Sequence, residues 1–138
     1  MINNLSEYKM KKFALSMLLL LVCTLSASAQ AEIKFNQLSH DFGTFSETQP
    51  VQKTTFTFVN KGDKPLIINQ AVASCGCTIP AYTKKPILPG QKGEIAVTYN
   101  GKGKFPGHFK KTITVRTNGN VEMTRLYIEG NMVEAKGK

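Results

Sequence analysis

Short runs in which every second residue is apolar restrict this 138-residue chain more than any other feature. Lys53 to Asn60 sets Phe56 and Phe58 on one face and Thr55, Thr57 and Val59 on the other. Glu94 to Asn100 turns Ile95, Val97 and Tyr99 one way, Lys111 to Thr117 does the same with Ile113 and Val115, and Leu126 and Ile128 alternate in a closing run. A period of two describes a strand with one buried face, and these β-branched and aromatic residues fit a pleated surface. Weaker copies carry Ile33 and Phe35, then Asp41 to Phe45, where Gly43 predicts a bulge or close backbone approach. From Leu66 to Ala73, Leu66, Ile68 and Val72 share a face that Gln70 interrupts, so a bulge is expected there too.

Turn chemistry separates the runs. Asn60-Lys61-Gly62-Asp63-Lys64-Pro65, Pro89-Gly90 and the glycine-rich stretch 101–107 read as turns and loops, and Asn118-Gly119 predicts a hairpin because both residues tolerate positive φ. The prolines between Pro80 and Pro89 argue against a central strand. The result is an all-β expectation: an immunoglobulin-like antiparallel β-sandwich of about seven strands, with a small barrel as the alternative. Phe56, Phe58, Ile95, Val97, Ile113, Val115, Leu126 and Ile128 should form its core, each lying on the apolar phase of its strand. The chain has no tryptophan, so the Cys-Trp-Cys core of antibody domains is absent.

The N-terminal segment reads as an export signal. Lys9, Lys11 and Lys12 precede a nearly all-apolar run from Phe13 to Leu25, shorter than a settled membrane span, and Ala27-Ser28-Ala29 supplies a small-x-small cleavage pattern. Cleavage is expected between Ala29 and Gln30. Residues 1–29 then form a signal peptide and 30–138 a single domain with no stable transmembrane anchor. Cys23 follows Leu21-Val22 instead of the small residue usual before a lipidated cysteine, so it should leave with the signal. The mature chain keeps 15 basic and 8 acidic residues, a balance of +7. Basic charge attracts anionic partners, which outside the cytoplasm are glycans and lipid headgroups more than nucleic acid.

Export would leave two cysteines, Cys75 and Cys77 in Ser74-Cys75-Gly76-Cys77-Thr78, in an oxidising compartment. Three readings stay open: a local disulfide or packed motif without activity, a pair for thiol exchange, and a metal site. In an extended strand their Cα atoms would be ~6.6 to 7 Å apart, at the outer limit for a bridge, so Gly76 is expected to supply a bend. So small a ring would stabilise the fold by only ~1.6 kcal/mol, and a strained, half-exposed bridge would suit exchange. A Cu(I)-type site would need further soft or imidazole ligands, for which Met123, Met132, His40 and His108 are the available residues. No cofactor motif is present: Gly101-x-Gly103-x-x-x-Gly107 lacks dinucleotide spacing and no helix follows it. Lys102 and Lys104 leave that loop with an anion-contact option. Ser39-His40-Asp41 has the residue types of a triad, but neighbours in an extended chain point to opposite faces.

Several segments together, Asp41-Phe42-Gly43, Phe56 to Gly62, Ser74-Cys75-Gly76-Cys77-Thr78-Ile79-Pro80, Leu88-Pro89-Gly90 and Leu126 to Gly130, resemble the bacterial family called domain of unknown function 1573. The resemblance runs from about Phe35 to Val133. More distantly it extends to immunoglobulin-like domains of the major sperm protein and ciliary ASH type, which are non-catalytic binding modules. It implies an exported sandwich in the periplasm or on the surface of a Gram-negative, Bacteroidetes-like bacterium, and it transfers no catalytic residue. The expected function is therefore a non-enzymatic module that binds another envelope protein or an anionic surface polymer. The alternative is thiol–disulfide exchange or Cu(I) handling through Cys75 and Cys77.

Overall fold

The alternating runs become eight strands in a computed structural model that describes residues 3–21 and 28–136. They are β1 (Ile33–Phe35), β2 (Ser39–Ser46), β3 (Val51–Asn60), β4 (Ile68–Ala73), β5 (Thr78–Tyr82), β6 (Lys92–Asn100), β7 (Gly107–Thr117) and β8 (Met123–Val133). One sheet has the order β1-β3-β6-β5 and the other β2-β8-β7-β4. This is the expected all-β, immunoglobulin-like sandwich. Every pairing is antiparallel except β2 with β8, which run parallel, with a register shift between Asp41 and Thr44 where Gly43 adopts φ +69°.

The eight residues expected in the core are all at most 1% exposed. Leu66 and Ile87 add to them: each donates its N–H to the other's carbonyl at 2.8 Å, which folds the proline-rich segment back over the core. Near the opposite end, Tyr99 stacks on Phe109 with ring centroids 3.8 Å apart, and Phe45 meets both rings edge-on. Burial pushes the Tyr99 phenol above its ordinary pKa, because a phenolate there would lose its hydration.

Two local expectations are corrected and a third holds. Val72 points outward at 48% exposure, because a register shift between Ile68 and Gln70 inserts Asn69 as an extra residue and reverses the face of everything after it. The proline-rich segment supplies no central strand, as expected: Thr78 to Tyr82 forms β5 at a sheet edge, where the missing Pro80 N–H costs no ladder bond. Asn118 and Gly119 do lie in the connection of the β7–β8 hairpin, but neither has positive φ. Asn118 instead accepts the Ile67 N–H at 2.7 Å and donates to the Pro65 carbonyl at 3.1 Å, tying the β7–β8 connection to the β3–β4 turn.

A helix, α1, spans Asn3–Leu21, and its side chains from Asn4 to Met17 are exposed. Among the described residues no helix is long and apolar enough to cross a membrane. Cys23 and Ala27 of the expected signal lie outside the described residues. The sandwich makes its first backbone contacts at Gln30, whose carbonyl accepts the Asp63 N–H at 2.9 Å, and at Ala31, which is 2% exposed.

Candidate functional site: the corner between the two sheets

The chain leaves the second sheet at Ala73 and enters the first at Thr78, so Ser74 to Cys77 is the corner joining edge strands β4 and β5. Ser74 fixes its near side: its N–H donates to the Thr112 carbonyl at 2.8 Å and its hydroxyl accepts the Thr112 N–H at 3.1 Å. On the far side the Asn100 N–H donates to the Cys77 carbonyl at 2.8 Å. Within the turn, the Thr78 N–H reaches the Cys75 carbonyl at 3.2 Å and the Cys77 N–H reaches Cys75 Sγ at 3.3 Å.

Cys75 and Cys77 are joined as a disulfide with Cα atoms 5.3 Å apart. Both are half-buried, Cys77 packs against the core, and the buried Thr78 places its hydroxyl 3.8 Å from each sulfur. Gly76 departs from expectation. Its φ lies outside the left-handed region, and a Cβ there would meet nothing within 4 Å. The bend therefore comes from the turn's hydrogen bonds and not from a conformation closed to other residues. Changing both cysteines to Ser should accordingly leave the fold intact and lower stability by only about 1 to 2 kcal/mol, the entropy of so small a ring. A urea melt of the double variant checks this; a loss above about 4 kcal/mol would contradict it.

The other sulfur and imidazole residues are scattered. His40 lies on β2, separated from β4 by β8 and β7, with its ring edge-on to Phe42 at 4.8 Å. His108 sits in β7, not in the preceding loop, five residues beyond the Ile113 partner of Ala73, and its Nε2 is 3.6 Å from Glu129 Oε2. Met123 pairs with Arg116 at the far end of β8, and Met132 is buried near Gly101. Among the described residues no three His, Cys, Asp or Glu side chains group as a metal site would require. Ser39 and Asp41 are exposed while His40 turns half inward, so the three do not converge; Asp41 Oδ1 accepts the Gly43 N–H at 2.7 Å.

Beside the corner lies an open sheet edge that the sequence did not reveal. Antiparallel partners alternate between bonded and unbonded pairs. Ser74 and Thr112 are a bonded pair, so Val72–Thr114 and Gln70–Arg116 are bonded as well. Ala71 and Ala73 therefore turn their N–H and C=O groups to the free side of β4. That side is polar backbone with no charged side chain, since Ile68 to Ala73 contains none. The other three edges are blunted: β1 has three residues including Lys34, β2 is bulged and carries Asp41, and β5 contains Pro80. Toward the other end, the Tyr82 hydroxyl donates to the Asn69 carbonyl at 3.4 Å, leaving Gln70 to Ala73 as the open stretch.

The two-sheet sandwich is a fold shared with solved ASH and PapD-like domains. Domain 7 of human CEP192, an ASH/PapD-like domain, superposes with a TM-score of 0.63 at 10% identity, over 82% of this chain and 93% of that one. The periplasmic chaperone SfaE gives 0.52 at 9% identity, over 77% of this chain and 59% of that one. A Porphyromonas gingivalis W83 protein of unknown function gives 0.67 at 14% identity, over 78% of this chain and 50% of that one, so this chain spans half its length. Residues 33–132 match the family described as protein of unknown function DUF1573, and the chain belongs to that family. No curated protein matches the sequence.

Proposed function

We propose that this protein is an exported, non-enzymatic immunoglobulin-like module that captures another envelope protein by adding that partner's extended segment to the edge of β4. The observation that carries the reading is the contrast among the four edges: three are blunted and Gln70 to Ala73 is not. Unpaired N–H and C=O groups in a row template a further strand, with main-chain bonds giving affinity and alternate side chains giving selectivity. The likeness to a periplasmic chaperone supports the compartment. A basic balance adds attraction for an acidic partner or an anionic surface polymer.

The test is capture from envelope extract with three forms of the protein. The wild type and the Cys75→Ser/Cys77→Ser variant should retain the same partner, whereas Ala71→Pro should lose it. Proline at Ala71 removes a free-side N–H and leaves the β4–β7 ladder bonds in place. Retention by Ala71→Pro would overturn the edge reading. The half-exposed Cys75–Cys77 bridge favours a second reading, thiol exchange; under it the double serine variant loses activity while keeping its fold.

Export belongs to the same proposal. The mature chain should begin at Gln30, the first residue the sandwich engages, and lack Cys23. Intact-mass measurement on protein recovered from the envelope checks this, and a chain still carrying residues 1–29 would contradict it.

A further inference from the structure

The β6–β7 loop carries the most exposed apolar side chain described. Phe105 is 97% exposed, whereas the apolar side chains of the sandwich core are at most a few per cent exposed. Its setting is ordered. Gly101 is buried at the base and donates its N–H to the Pro50 carbonyl at 2.9 Å, the Lys102 N–H is held by Asn100 Oδ1 at 3.0 Å, and the Lys104 N–H closes a turn onto the Gly101 carbonyl at 3.0 Å. Pro106 then restricts the backbone on the other side of the ring. The turn thus holds a phenyl ring out in water at the end of the sandwich, a position that burial would favour leaving.

Its neighbours are cationic. Lys102 and Lys104 precede it in the same loop and are exposed, whereas Lys110, farther along β7, lies opposite Glu129. From Ile95 to Val121 the sequence contains four lysines and Arg116 but no aspartate or glutamate. A loop tip of one exposed aromatic ring beside two lysines falls short of the roughly 800 Å² per partner of a standard protein interface. It has the elements that seat a protein on an anionic bilayer: an aromatic ring that enters the headgroup boundary and lysines that meet the phosphates.

We propose that the 101–107 loop is a membrane-surface anchor, with Phe105 inserted at the headgroup level of an anionic lipid bilayer and Lys102 and Lys104 paired with lipid phosphates. This attachment is independent of capture by β4. The loop starts one residue after Asn100, whose N–H bonds the Cys77 carbonyl, so it lies at the same end of the sandwich as the Ser74 to Cys77 corner. The attachment is weak and reversible, since one ring and two lysines fall well short of a second hydrophobic anchor.

The absence of tryptophan gives a local readout. Phe105→Trp in the full chain makes position 105 the sole tryptophan, so attachment through α1 alone would leave its emission unchanged. With vesicles of phosphatidylglycerol and phosphatidylcholine the emission should shift to the blue and be quenched by lipids brominated near the headgroup. Vesicles of phosphatidylcholine alone should give little shift. Lys102→Glu/Lys104→Glu added to Phe105→Trp should weaken binding at least twenty-fold, each lysine near an anionic surface being worth about fivefold, and raised salt should do likewise. Unshifted emission with anionic vesicles would overturn the proposal, as would equal shifts with both compositions. A shift produced by envelope protein but by neither vesicle would overturn it in favour of a protein pocket.

Discussion

Asn60→Leu is expected to remove about 3 to 5 kcal/mol of stability, a large share of the roughly 5 to 15 kcal/mol that an ordinary domain has. Asn60 closes β3 and is wholly buried, yet every polar atom of its side chain is used. Oδ1 accepts the Glu32 N–H at 3.3 Å and the Gly62 N–H at 2.9 Å. Nδ2 donates to the carbonyls of Lys64 at 2.7 Å and Ile87 at 2.9 Å. One amide thus joins the N-terminal lead, the β3–β4 turn and the proline-rich segment. Leucine keeps the branched shape but offers no hydrogen bond, so the Glu32 and Gly62 N–H groups and the Lys64 carbonyl lose their partner and the Ile87 carbonyl keeps only the Leu66 N–H; each unsatisfied buried group costs about 1 to 3 kcal/mol. Asn60→Asp should be comparably harmful, because an oxygen replaces the amide nitrogen against two carbonyls. Urea melts of both variants decide it, and a loss below about 1 kcal/mol for leucine would contradict the role.

Phe58→Ala should cost about 3 to 5 kcal/mol in the same measurement. Its ring is fully buried, meets Phe35 edge-on at 5.3 Å, and lies over Gly93, its direct partner on β6. A Cβ at position 93 would run into that ring. Gly93→Ala should therefore be destabilising in the wild type and much less so in the Phe58→Ala background, a coupling that a double-mutant cycle isolates. Additive effects would mean that Phe58 and Gly93 do not share this space.

Period-two alternation made the core legible, since Phe56, Phe58, Ile95, Val97, Ile113, Val115, Leu126 and Ile128 repeat it without interruption. It failed at Val72, where the single extra residue Asn69 reverses the phase and nothing local marks which residue is the insertion. Strand order was illegible for a different reason: the parallel β2–β8 pairing joins segments about ninety residues apart, and no local spacing encodes it. Asn60 read as the first residue of a turn. Its one local signal is Gly62 two residues on, which fits the turn in which Asn Oδ1 accepts that N–H. The cysteine corner was visible as a motif, but Gly76 was given a backbone role that the hydrogen bonds of Ser74, Thr78 and Asn100 fulfil. The open edge of β4 could not be read at all, because it depends on which strands lack neighbours.

The β4 claim is tested most directly by amide hydrogen exchange of this protein alone and with its captured partner. Ala71 and Ala73 are the amides that face the free side. Partner binding should slow their exchange at least tenfold, while Val72, already bonded to Thr114, changes little. Unchanged exchange at Ala71 and Ala73 in a complex that remains bound would show that the partner sits elsewhere.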